Sequence, residues 1–373
     1  MGLFVVISHA RSAGTIPGNL PVYRVIDLGT LGGDASGATS LSKNGQVVGW
    51  SQTGSGVRHA FLYSNGMMTD LGALPGGTES VATGINDHGR IVGYSGINEY
   101  GPQFPEINQA FIWETGLMKS LGALHCPCSF NTRYGTSSAQ DINNTGIVAS
   151  GWSETVRGSW VYHAFLWDSV NGLQDIGGGA GDWSISRAFA LNDNGFIVGD
   201  FARDAGMMTV FNRTAVRWDG DVMEELGNLP GHSSSTARDI NNRSQIVGWS
   251  WADTGSDSEL THAVMWTSNG IRDLGMLPGD TASRAQAINN AGHVAGWSGM
   301  PDQTVSRAFL WVDGLMIDLN RLLLTTDRWM LTEAIAINDA GQITGTGLHE
   351  GQPRAFLLKP VVSGTGVIKS VLK

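Results

Sequence analysis

The sequence predicts an all-β fold, a seven-bladed β-propeller of four-stranded antiparallel blades, closed by an N-terminal strand that completes the last blade. Three observations predict it. The phrase AINNAGHVAGWS, residues 287–298, has recognisable copies along the whole chain. Each copy belongs to a larger unit with four short β-rich runs. The units repeat about every 48 residues, inside the ~40–50-residue range of propeller blades.

The unit reads Ser-x-Ala-x-x-Ile-Asn, an Asn/Asp-Gly turn, then Val-Gly-Trp-Ser. A variable loop follows, then His-Ala-Phe-Leu-Trp, Asn-Gly and Met-x-Asp-Leu-Gly. The Ile-Asn element sits at Leu41-Ser42, Ile85-Asn86, Ile142-Asn143, Leu191-Asn192, Ile240-Asn241, Ile288-Asn289 and Ile337-Asn338. In the fifth copy the alternation predicts strands A to D over Ser235–Ile240, Gln245–Trp249, His262–Trp266 and Ile271–Leu274. NNRS joins A to B and SNG joins C to D, which makes each unit an antiparallel meander. Both faces of that meander are apolar or small, so it must bury them against neighbours, and stacking around an axis does so.

The count also predicts closure. The first Asp-Leu-Gly strand, Tyr23–Gly29, precedes any A strand, and the last unit ends without a D strand. Pairing Tyr23–Gly29 with Arg354–Leu358 covers a bare edge and ties the ring. One propeller is thus expected over 22–360, between an N-terminal tail (1–21) and a C-terminal tail (361–373).

Composition agrees with many short strands and tight turns: 52 Gly and 13 Trp in 373 residues, since Gly supplies the positive φ that tight turns need. Net charge is −10 and basic residues form no stripe, which argues against a nucleic-acid partner. No apolar run approaches the ~20 residues of a membrane-spanning helix. The start, MGLFVVISHARSAG, has a short apolar stretch and a small-x-Ala site but no basic lead. It reads equally as the remnant of an export signal or as a tail without meaning.

His59-Ala60-Phe61 and His163-Ala164-Phe165, with Ile-Asn and Asp-Leu-Gly around them, give the chain a specific pattern. It resembles the bacterial HAF-repeat family over nearly its whole length, roughly Tyr23 to Pro360. Copies four and five depart, with Thr214-Ala215-Val216 and His262-Ala263-Val264. The resemblance implies an extracellular or periplasmic setting, leaves the activity open, and carries no catalytic motif to transfer.

Repetition is an internal control: a residue type found in most blades serves the blade. The HAF histidines share their position with Gln109, Thr214, Arg307 and Arg354, so they read as structural hydrogen-bonders. The Ile-Asn asparagines read as turn formers. The periodic tryptophans read as packing between blades. Function is then expected on the long loops of one face, since variable loops on rigid scaffolds carry binding residues.

There the D–A loops place Asp34, Asp182 and Asp280 near the channel mouth, an oxygen-rich set for Ca²⁺. His232 and Asp280 are the candidate catalytic residues, with His232 to move the proton. Off-pattern aromatics Tyr100, Trp160, Trp183, Trp251 and Trp329 are the candidate stacking platform for a ligand. Cys126 and Cys128, in the Cys-Pro-Cys run, read as free or partly oxidised thiols, because no second Cys/His pair completes a zinc set.

The expectation is an exported, monomeric interaction module that presents top-face loops to a carbohydrate, peptide or surface ligand. The alternative is a Ca²⁺-dependent hydrolase or lyase, lactonase-like, with its site at the channel mouth. No nucleophile elbow, zincin motif, phosphate loop or dinucleotide fingerprint occurs.

Overall fold

The computed structural model describes residues 20–97, 107–123, 136–154, 160–177, 185–202, 212–252, 260–300, 306–325 and 328–361. Among these residues the chain forms seven four-stranded antiparallel sheets. Six are consecutive meanders, over 32–70, 77–122, 136–175, 185–225, 234–275 and 282–318. The seventh takes three strands from 329–361 and its outer strand from Val22–Asp27. That strand runs antiparallel to Gln352–Val361, with Val25 opposite Leu358 and Ile26 opposite Leu357. The first strand of each meander packs against the sheets on either side, and the first meander packs against the seventh sheet. The sheets are called blades one to seven below, and that first strand is the inner strand. Among the described residues no helix is long and apolar enough to cross a membrane.

The repeated letters have structural work. Each inner strand carries an Ala that is almost wholly buried, such as Ala82, Ala139, Ala188 and Ala237. Its small side chain lets aromatic and aliphatic residues of the neighbouring sheets fill the gap. The Val-Gly step of the second strand needs glycine because the inner strand passes close: a Cβ on Gly248 would meet the Thr236 carbonyl at 2.0 Å. The serine of Ser-x-Ala ties blade to blade. Ser235 Oγ donates to Gly227 O and accepts from Ala215 N–H, both in blade four. Ser36 does the same across the ends of the chain, donating to Gly29 O and accepting from Ala355 N–H.

The asparagines of Ile-Asn do more than form turns. In each copy Oδ1 caps its own hairpin; Asn192 Oδ1 accepts from Asn194 N–H and Phe196 N–H, both at 3.0 Å. Nδ2 then donates to the backbone carbonyl of the next blade. The links run from Asn86 to Asn143, Asn192, Asn241, Asn289 and Asn338, and from Asn338 to Ser42 O. Ser42 has no amide to offer Asn86, which leaves one seam in this ring.

Candidate functional site

Each of the seven inner strands has a one-residue bulge at the same place in the repeat. The unpaired residue lies two before the Ile of Ile-Asn. A bulge bends the strand and re-aims a side chain. Here it turns Thr39, Thr83, Gln140, Phe189, Arg238, Gln286 and Ile335 toward one central cavity of about 510 Å³, which all seven line. These are the first x of Ala-x-x-Ile-Asn, and the scaffold does not dictate them. A separate depression of about 340 Å³ lies on the hairpin side, beneath the asparagine ring.

The cavity wall is uneven. Thr39 and Thr83 are latched, each donating to the inner-strand carbonyl of the next blade at 2.7 Å. From blade four to blade six an alternating stack of cations and rings runs beside the cavity, and Phe189 and Arg238 are its members that line it. Arg187 lies 5.1 Å from the Phe189 centroid, and Arg238 lies 4.3 Å from Phe189 and 5.7 Å from Trp249. Arg284 follows, 4.9 Å from Trp249 and 5.3 Å from Trp297. Across the cavity Arg58 lies 4.9 Å from Trp50. The second-strand tryptophans Trp50, Trp249 and Trp297 stack on arginines, Trp249 on Arg284 of the next blade. The third-strand tryptophans Trp218, Trp266 and Trp311 pack between blades.

Buried carboxylates around the stack are paired or hydrogen-bonded, as desolvation demands. Asp200 is 1% exposed and takes two guanidinium bonds from Arg187 and one hydroxyl bond from Thr236. Asp239 accepts from Ile240 N–H and, across to blade six, from Ile288 N–H. Asp141 makes the corresponding pair with Ile142 and Leu191. Burial pushes the Asp239 carboxyl up to about 7 against those backbone donors, and raises Asp141 and Glu333 as well. Burial and the nearby Arg187 lower Arg238 from the ordinary guanidinium value.

The residues expected from the sequence are placed differently. Asp280 bonds Ser298 Oγ and the Arg307 guanidinium, each at 2.7 Å, so it clamps its loop. His232 occupies the same slot one blade earlier and bonds Ser250 Oγ at 3.0 Å. Burial, then the neighbouring His262, lowers the His232 pKa. Asp34 is exposed, and its carbonyl accepts from Arg354. Among the described residues no group of three or more His, Cys, Asp or Glu gathers to hold a metal. Asp182 lies outside the described residues, as do Tyr100, Trp183, Cys126 and Cys128.

Trp160 is described only as backbone, in the strand Trp160–Asp168. Trp251 is half-buried in the strand Ile246–Trp251. Trp329 is buried, stacked on His349 at 4.7 Å and edge-on to Phe356. It belongs to the core of blade seven and offers no open face. The HAF histidines pair with the Asp of Asp-Leu-Gly on the next strand, as His59–Asp70, His163–Asp175 and His262–Asp273.

No family model matches the chain, and no curated protein matches it in sequence. Solved structures do match its fold. The β-propeller domain of the Trilobed protease from Pyrococcus furiosus matches at TM-score 0.55 and 8% identity, covering 93% of this chain and all of the other. Pyrococcus horikoshii acylaminoacyl peptidase matches at TM-score 0.53 and 12% identity, over 87% of this chain. A Mycobacterium tuberculosis puromycin-hydrolyzing peptidase matches at 0.52 and 10%, over 92%. This chain spans about half the length of these two peptidases, at 51% and 54% of their chains.

The comparison corrects the fold class read from the sequence. That reading named a seven-bladed class closed by its N-terminal strand, whereas the Trilobed domain is six-bladed, with an open velcro topology. What this chain shares with solved structures is an all-β propeller of four-stranded antiparallel blades. Blade number and closure do not carry across the comparison, and the seven sheets paired above describe this chain's own strands. Blade number depends on the wedge between neighbouring sheets, which a count of repeated phrases does not specify.

Proposed function

We propose that this protein is a ligand-binding propeller that receives a small polar molecule in its central cavity. One observation carries the reading. Inner strands that keep their Ala and Ile-Asn positions vary between them, and the varying bulged residue lines the cavity in all seven copies. Repetition elsewhere serves packing, so variation here serves the cavity. The volume is in the ~300–1,000 Å³ range of small-molecule sites. Buried polar groups around it favour recognition of a polar ligand over an apolar one. The matched proteins include peptidases, but likeness at this identity speaks to fold alone. Asp280 and His232, the candidate catalytic pair, are occupied in loop bonds, which favours binding over hydrolysis. Export is part of the proposal and rests on the HAF-repeat resemblance.

The test is a thermal-shift screen of small polar metabolites, charged and neutral, against the wild-type chain and Gln140→Trp, which fills the cavity from a bulge position. Stabilising hits should vanish in Gln140→Trp and persist in Trp251→Ala. Hits that survive Gln140→Trp and disappear in Trp251→Ala would return the site to the loops and overturn the reading.

A further inference from the structure

We infer that the wall of blades four to six binds the anionic group of a small hydroxylated organic acid or phosphate ester, with Arg238 as its anchor. This rests on the cavity reading above and names its ligand class. Arg238 sits in the middle of the alternating stack, with Phe189 on one side and Trp249 on the other. Such stacking occupies the faces of a guanidinium and leaves its edge of N–H donors. Among the described residues that edge makes no hydrogen bond and no ion pair, and Nε is shut away from solvent without a partner. Arg187, by contrast, spends its fork on Asp200.

The nearby carboxylates do not meet Arg238, because their oxygens are engaged elsewhere. Asp239 holds two backbone amides, Asp141 holds two more, and Glu333 accepts from Gln286 Nε2 at 2.8 Å. A desolvated guanidinium with a free fork lining a cavity matches a carboxylate or phosphate, which takes two parallel N–H bonds. The rest of the lining sets the ligand's body. Among the lining rings, Phe189 lies between two guanidiniums and Trp50 beside a third, so aromatic surface for an apolar ring is scarce. Gln140, Gln286, Tyr94 and Ser40 instead offer amides and hydroxyls, the partners of a hydroxylated chain or ring.

The experiment titrates the full chain with glucuronate, glucose 6-phosphate and glucose, read by calorimetry and by tryptophan fluorescence, to which Trp249 contributes. At least one charged probe should bind saturably and more than tenfold tighter than glucose, and the better of the two identifies carboxylate or phosphate. Arg238→Gln should lose at least tenfold. Arg238→Lys, which keeps the charge without the fork, should fall between and also guards against a folding defect in the first variant. Glucose binding as tightly as the acids, and lost in Gln140→Trp, overturns the ligand class while the cavity reading stands. Charged probes that bind Arg238→Gln like wild type overturn the anchor. Absence of saturable binding by either charged probe to the wild-type chain overturns the inference as a whole.

Discussion

Two neighbouring positions of the inner strands differ in kind. At the hairpin end, asparagines make the same bonds blade after blade: Oδ1 to its own turn, Nδ2 to the next blade. Three residues earlier, at the bulge, the side chains are Thr, Thr, Gln, Phe, Arg, Gln and Ile. One position is a fastening that tolerates little change. The other is a lining that the fastening leaves free. The difference teaches that, in this repeat, constraint and variation alternate within a single strand rather than dividing between sheet and loop.

That contrast can be broken most severely at Asp200. Asp200→Ala strands the Arg187 guanidinium and the Thr236 hydroxyl, and because Arg187 is 29% exposed the loss falls at the lower end of a broken buried pair, about 3 kcal/mol. Denaturant unfolding should show a loss of that order. Arg187→Met/Asp200→Leu, which removes both charges, should recover much of it; failure to recover would mean the pair organises the wall rather than merely neutralising it. Asn192→Ala should be next. It orphans two backbone N–H groups and one carbonyl, for about 2–3 kcal/mol at ~1 kcal/mol each. Cavity ligands should bind the folded variant unchanged, and weakened binding would erase the proposed division between fastening and lining.

The third sharpening is a pH profile. Burial raises Asp239 from its ordinary 3.8 to about 7. The folded state then keeps a proton that the unfolded chain has released. That contribution is fully present below about pH 4 and is lost as pH rises through about 7. The melting temperature should therefore decline across that window, and Asp239→Asn should flatten the decline. An identical slope in the variant would assign the titration to Asp141 or Glu333. The smallest effect is a gain. Ser42→Asn offers the missing amide at the seam with Asn86 and should add about 0.5–1 kcal/mol, the net worth of one hydrogen bond. No change in chemical unfolding would show that the seam is already satisfied.

Much of the blade was legible in the sequence, because a residue that recurs every blade announces its own structural job. The Asp-Leu-Gly strand at Tyr23–Gly29 was legible for the same reason, since it was one D strand too early. The turn role of the asparagines was legible, but their reach to the next blade was not, since a period of one repeat cannot say which neighbour a side chain meets. The cavity wall was missed on physical grounds. A bulge inverts the two-residue alternation of a strand, so Arg238 and Gln286 fell between letters read as scaffold. Seven aligned copies of Ala-x-x-Ile-Asn held the signal, as variation inside the most regular strand. His232 and Asp280 misled because a side chain that breaks a loop pattern can still serve the loop, as their bonds to Ser250 and Ser298 show.

Because each bulged residue stands outside the ladder pairing, exchanging it breaks no ladder bond, although at Thr39 and Thr83 it removes a hydroxyl latch to the next blade. Exchanging one leaves the serine ties and asparagine links intact. The molecule thus offers seven addressable positions in a fixed circle, and a new specificity could be written into them by a combinatorial library without redesigning the body that carries it.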